Sequence, residues 1–153
     1  MRIGIGKDVH RLEKGGRLIL GGVVVSRQHH PAAHSDGDVL CHAIADALLG
    51  AAKLGDIGKI YPETKENEGM SSLEALKEIA KLVESKGWKI SSVDSTVFLS
   101  VVRLSPLREE IEESLEKALG CEVSVKFKSG NGVGEVGRGE AVEALAVVLL
   151  EKK

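Results

Sequence analysis

Two places in the sequence set metal-binding residue types where a role in folding is not the only reading. The first is Asp8-Val9-His10. On a strand, residues i and i+2 face the same way, so Asp8 and His10 project together. The second is His42, inside the run from Asp38 to Ala52, whose residues favour helix and are apolar nearly all round. Asp38 and Asp46 sit four residues to either side, one turn away on the same stripe. Polar groups on a helix built for burial are costly unless paired or bound. Two imidazoles and a carboxylate suit zinc, and three protein ligands leave its fourth position open for chemistry. Asp46 is the expected outer partner that orients His42. Each piece alone also reads as a hydrogen-bonded surface pair or a satisfied core histidine. Together they favour a metal, although spacing does not bring strand and helix into one site.

Other polar segments flank these. His34-Ser35-Asp36-Gly37-Asp38 leads into the helix. Ser35 or Asp36 is expected to cap it by accepting from free N–H groups. The same helix start offers N–H groups to a phosphate, with His34 a donor to developing negative charge. Asp56-Ile57-Gly58 and Tyr61-Pro62-Glu63-Thr64 read by themselves as a turn-rich loop. Gly130 to Gly134 is glycine-rich but matches no Walker pattern. Arg138 suits either a phosphate or an internal ion pair.

The elements that must position these residues follow from periodicity. Met1 to His10 alternates and reads as a strand. Leu18–Leu20 and Val23–Val25 flank Gly21-Gly22, a hairpin signature. His29 to Gly37, with Pro31, reads as a polar loop, and Gly55 to Met70 as irregular. Ser71 opens a capping box with Glu74, and a helix runs on toward Gly87. Trp88 to Ser100 is β-rich. A helix follows Pro106 and stops at Gly120. Glu122 to Lys128 alternates, and Ser129 to Gly139 is loop. Ala141 to Leu150 stays open between helix and strand, because Ala, Leu and Glu oppose a run of Val. Strands alternating with helices point to helices packed on one sheet.

The 153 residues make one domain, 42% hydrophobic, 29% charged and only 3% aromatic, so the core is aliphatic. With 21 basic and 23 acidic residues the net charge is -2. No field of one sign points to nucleic acid or a membrane surface. No apolar run nears the ~18 residues of a membrane span, and no leader segment is legible, so the expectation is a soluble, cytoplasmic protein. Cys41 and Cys121 lie far apart and read as buried free thiols.

The words Gly4 to His10, Ala33-His34-Ser35-Asp36-Gly37-Asp38-Val39, His42-Ala43, Asp46 to Ala52, Gly55-Asp56-Ile57-Gly58 and Gly137-Arg138-Gly139-Glu140 resemble the cyclodiphosphate synthase family over the whole chain. The resemblance implies a ferredoxin-like α+β two-layer sandwich with a mixed β-sheet, assembled as a homotrimer with sites between subunits. It implies zinc on Asp8, His10 and His42, and magnesium or manganese across a diphosphate. The implied substrate is a cytidine diphosphate-linked methylerythritol 2-phosphate: its 2-phosphate attacks the β-phosphorus, CMP leaves and a cyclic diphosphate forms. His34 and Ser129 take the catalytic positions. Substrate contacts fall on Asp8, His10, His34, Ser35, Asp56, Ile57, Gly58, Tyr61, Glu63, Arg103, Lys128, Ser129, Asn131 and Arg138. The terminal segment is a strand in this family.

Two segments depart from its pattern. Leu99-Ser100-Val101-Val102-Arg103 replaces Ala-Gln-Ala-Pro-Lys, with Arg103 in the place of Lys. Lys128-Ser129-Gly130-Asn131 replaces Thr-Thr-Thr-Glu, so the carboxylate expected on the second metal is missing and a cation is added. Glu63 and Lys65 stand where Asp is usual. The alternative reading is a zinc-containing trimeric binding module for nucleotide or isoprenoid diphosphates with little cyclase activity. A generic zinc phosphohydrolase is a third.

Overall fold

The alternation at the start does give a strand, β1, but it continues past His10 and spans Arg2–Lys14. The structure, a computed structural model, describes all of residues 1–153. Next come β2 (Leu18–Leu20) and β3 (Val23–Ser26), a hairpin turning on Gly21 and Gly22 at φ of 59° and 80°. His29–Pro31, read as loop, is instead a short strand, β4, paired with Leu12–Lys14. Proline is tolerated there because β4 is an edge, where the missing N–H breaks no ladder bond.

α1 (Val39–Ala52) follows, then α2 (Ile57–Ile60) and a single 3-10 turn at Lys65–Asn67, both inside the stretch read as irregular. α3 (Ser72–Ser85) starts at the expected Ser71 cap, whose hydroxyl accepts from Glu74 N. β5 spans Trp88–Phe98. Pro106 lies in a 3-10 turn, Ser105–Leu107, that leads into α4 (Arg108–Leu119), closed by Gly120 at φ 70°. After β6 (Glu122–Lys128), the expected loop holds one 3-10 turn and the four-residue α5 (Gly134–Gly137). The ambiguous terminal segment is β7 (Ala141–Lys152).

The main sheet has the order β4-β1-β7-β5-β6. β5 and β6 run parallel and the other pairs antiparallel, so the sheet is mixed. This is the α+β two-layer arrangement, with helices on one face. β7 pairs along almost its whole length on both sides, which overrides the helix propensity of its Ala and Leu. Its residues Val142, Ala144, Ala146, Val148 and Leu150 face inward and are buried. α1 is apolar all round because the sheet covers one side, and α3 and the β2–β3 hairpin cover the other.

The outer face of the sheet carries Ile3, Ile5, Val9 and Val147 into solvent, Ile3 and Ile5 at 73% and 68% exposure. β6 is the far edge. Its outward N–H groups at Val123 and Val125 donate to Glu116 Oε1 (3.2 Å) and Glu112 Oε2 (2.9 Å), one turn apart on α4.

Candidate functional site

The inner face of β1 reads Gly4, Gly6, Asp8, His10. A Cβ on Gly4 would lie 1.9 Å from Ala47 O, and one on Gly6 1.9 Å from Ala43 O. The two glycines therefore let α1 lie directly on the strand, and the next two inward residues meet His42. Asp8 Oδ2 is 3.0 Å from His42 Nδ1 and 3.1 Å from His10 Nε2. One donor atom from each residue falls within 4.8 Å of the other two. The imidazoles meet edge to face, centroids 5.8 Å apart. Spacing left this triangle open; the glycines close it.

Donors at ~2.0–2.2 Å around a tetrahedral zinc lie about 3.4 Å from each other, close to these separations. His10 Nε2 is buried and has no hydrogen bond, since Asp8 lies near it without the alignment of one. An orphaned ring nitrogen beside a carboxylate is a donor set in want of a cation. Burial raises the Asp8 carboxyl, but the imidazoles of His10 and His42 beside it outweigh burial and hold the group at about 2. Burial lowers His42, but Asp8 and then Asp38 and Asp36 pull it above its ordinary value. The residues present fit a divalent ion bound by two nitrogens and one oxygen.

The three open onto a cavity of about 180 Å³, lined also by His34, Ser35, Ile57, Gly58, Tyr61, Glu63, Asn67 and Met70. His34 Nε2 lies 2.6 Å from Thr64 O. A carbonyl only accepts, so this nitrogen carries the hydrogen and Nδ1 is the other, unengaged face of the ring. Gly69 N donates to His34 O, so one residue pins both ends of the wall from Thr64 to Gly69. A larger cavity, about 620 Å³, lies elsewhere, among Arg11, Glu13, Lys14, His29, Glu135 and Glu140. Cations and carboxylates line it together, and it gathers no metal-binding cluster.

The YgbB family model matches residues 1–151. The chain belongs to the YgbB family. A relative from Thermotoga maritima, named 2-C-methyl-D-erythritol 2,4-cyclodiphosphate synthase, is 51% identical over 100% of this chain and 93% of its own. A solved synthase of that name, in a CDP-bound form, superposes with a TM-score of 0.90 at 37% identity, covering 98% of this chain and all of its own. The bifunctional IspDF of Campylobacter jejuni gives 0.95 at 33% identity, and this chain covers 99% of itself but 42% of that one.

Within this YgbB-family chain the expected site residues divide. Asp8, His10, His34, Ser35, Ile57, Gly58, Tyr61 and Glu63 share the cavity. Asp56 stands beside it as the cap of α2, accepting from Lys59 N at 3.0 Å. Arg103, Lys128, Ser129, Asn131 and Arg138 are exposed and do not line it. Lys128 alternates with the buried Val123 and Val125 and so projects from the outer face, opposite to the metal ligands. Ser129 accepts from Asn131 N, and Asn131 is left-handed at φ 52°. Arg138 pairs with Glu140 at 3.1 Å, the internal ion pair of its two readings.

Three expectations need correction. Asp46 does not bond His42; it accepts from Ile57 N at 2.8 Å and anchors α2. The α1 cap is Asp38, not Ser35 or Asp36. Asp38 is fully buried and accepts from Cys41, Gly21 and Gly22 N–H groups, so this helix start offers no phosphate site. The residues that do hold His42 are Ser72 and Ser35, with Nε2 at 2.7 Å and 3.3 Å from their hydroxyls. Ser72 went unread in the sequence. Its signal is phase: it falls on the buried stripe of α3 with Leu76, Ile79 and Val83.

Proposed function

We propose that this chain is a metal-dependent cyclodiphosphate synthase. It closes 4-diphosphocytidyl-2-C-methyl-D-erythritol 2-phosphate to the 2,4-cyclodiphosphate and releases CMP, the activity its YgbB-family relatives are named for. The observation that carries the reading is the Asp8–His10–His42 cluster opening beside His34 into one cavity. In the reaction a 2-phosphate oxygen bonds the β-phosphorus as the bond to the CMP oxygen breaks. Nothing has to bond covalently to protein, so positioning and charge stabilisation supply the rate.

Asp8, His10 and His42 hold the ion, and the mixed donor set suits zinc, which when bound supplies Lewis-acid polarisation of a phosphoryl oxygen. His34 presents Nδ1 to the phosphates because Thr64 occupies Nε2. Asp56, with Ile57 and Gly58, takes the sugar-diol end; Tyr61 and Glu63 complete the wall. Ser129 supplies a hydroxyl, and Arg103 stands at the base.

The site works in a ferredoxin-like homotrimer, with a neighbour supplying Arg103, Lys128, Ser129, Asn131 and Arg138. Three features support this: a nucleotide-sized ligand needs ~300 Å³ or more against about 180 Å³ here, those residues lie away from their own cavity, and the outer sheet face exposes an apolar patch of Ile3, Ile5, Val9 and Val147. Sedimentation equilibrium at three times the chain mass is the expected result. No helix is long and apolar enough to cross a membrane, and a cytoplasmic site of action is part of the reading.

A magnesium or manganese ion on Asn131 does not fit the residues present. The segment from Ser129 to Gly139 has one carboxylate, Glu135, and it lines the larger cavity instead. Lys128 makes no ion pair. Its ammonium supplies counter-charge to the diphosphate in this reading. Phosphorus NMR of the zinc-loaded protein with substrate tests the function. Paired diphosphate resonances of a cyclic product with free CMP support it. Substrate bound but unchanged refutes it in favour of the binding module, the reading that the altered Lys128–Asn131 segment favours.

A further inference from the structure

Behind His42 stands a hydrogen-bond chain that the proposed reaction does not use. His42 Nε2 is 2.7 Å from Ser72 Oγ. The same hydroxyl hydrogen-bonds Asp36 Oδ1, and Asp36 Oδ2 accepts from Ser72 N at 3.1 Å. Asp36 Oδ1 also accepts from Asp38 N at 3.2 Å, so its two oxygens serve only as acceptors.

A hydroxyl has one hydrogen to give. A carboxylate can only take it, so the Ser72 hydrogen goes to Asp36. The lone pairs of Ser72 Oγ then face His42, and the hydrogen between the two belongs to Nε2. That leaves Nδ1 as the metal donor, the nitrogen already 3.0 Å from Asp8 Oδ2. Ser35 Oγ, 3.3 Å from Nε2, is a weaker second acceptor that already accepts from Gly37 N. Ser72 is buried at 1% exposure, where water does not compete for this bond.

The geometry points to Ser72, aimed by Asp36, as a positioning residue that fixes the His42 tautomer and thereby sets how tightly the cluster holds zinc. The inference rests on the metal reading of Asp8, His10 and His42. It also gives α3 a part in the site, because Ser72 is the first residue of that helix.

The test is zinc affinity of the full chain by competition with a chromophoric chelator, alongside melting of the metal-free protein. Ser72→Ala is expected to weaken zinc about 10- to 100-fold, the usual cost of losing an outer partner. Ser72→Thr, which keeps the hydroxyl, recovers most of it, and Asp36→Asn falls between. A Ser72→Ala protein that holds zinc within twofold of the wild type overturns the proposal. Long-range proton–nitrogen NMR of zinc-loaded wild type gives a readout that needs no variant. A hydrogen on His42 Nε2 with the metal on Nδ1 supports the assignment; the reverse tautomer overturns it. Failure of the wild type to bind zinc at all overturns the metal reading together with this one.

Discussion

Gly6→Ala is the substitution that most directly joins packing to chemistry. Gly6 has an ordinary negative φ, so alanine costs nothing in backbone conformation and the effect is steric. Its new Cβ would stand 1.9 Å from Ala43 O and 2.8 Å from Ala47 N, both rigid helix backbone. Relieving that contact means moving α1 off β1 by about 1 Å, against tight interior packing. The contact is one residue from His42 and two from Asp8, so the displacement passes into the 3.0 Å gap between them. Metal ligands tolerate ~0.2 Å. Overpacking costs ~1–3 kcal/mol, and backbone that cannot rotate away puts this case near the top. For a domain of this size that is roughly 6–12 °C of melting temperature. The assay is circular-dichroism melting of the metal-free protein with a zinc competition titration. The expectation is a fall in that range and at least tenfold weaker zinc. A variant that melts within a degree of the wild type and holds zinc equally well refutes the reasoning.

Gly50→Ala makes the opposite case: Gly50 is an exposed position of the otherwise buried α1 with nothing near a new Cβ, so stability should rise by ~0.5–1 kcal/mol, read as a higher melting temperature. Asp38→Ala leaves three N–H groups, of Gly21, Gly22 and Cys41, without their acceptor. At ~1–3 kcal/mol each the loss should exceed ~3 kcal/mol in urea melts. Burial, then Glu116 and Glu122, push the Cys121 thiol from 9.0 up to about 11. Its alkylation rate should keep climbing through pH 10 without a plateau. Because the folded value is the raised one, its contribution to stability is complete below pH 9 and lost as pH passes toward 11. A plateau near 9 in the native protein contradicts this. Cys41, fully buried, should not react before unfolding.

Most elements were legible because their periodicity and their punctuation agree. α3 has its Ser71 cap, its apolar stripe and Gly87; α4 has Pro106 before it and Gly120 after. β4 was not legible, because three residues around Pro31 carry no pattern and become a strand only through Leu12–Lys14. β7 was ambiguous in its own residues because partners on both sides decide it. For the site, Asp8, His10 and His42 could be nominated from residue type, but joining them required knowing that Gly4 and Gly6 face α1. The stripe Asp38–His42–Asp46 misled for a related reason. Neighbours on one helix stripe turned to three different partners, the hairpin, Asp8 and α2. Ser72 was masked because a serine at a helix start already has a sufficient explanation in capping.

The carboxylates of Glu112 and Glu116 do more than fasten α4 to β6. In the language of polymer chemistry they are end groups. A strand with two of its outward donors taken is a poorer template for another, and the opposite end of the sheet is a three-residue strand finishing in Pro31. Both ends are poor sites for propagation. In the proposed trimer, contact between copies would then fall to the exposed Ile3, Ile5, Val9 and Val147 patch rather than to the strand edges, and a closed ring can bury that patch completely.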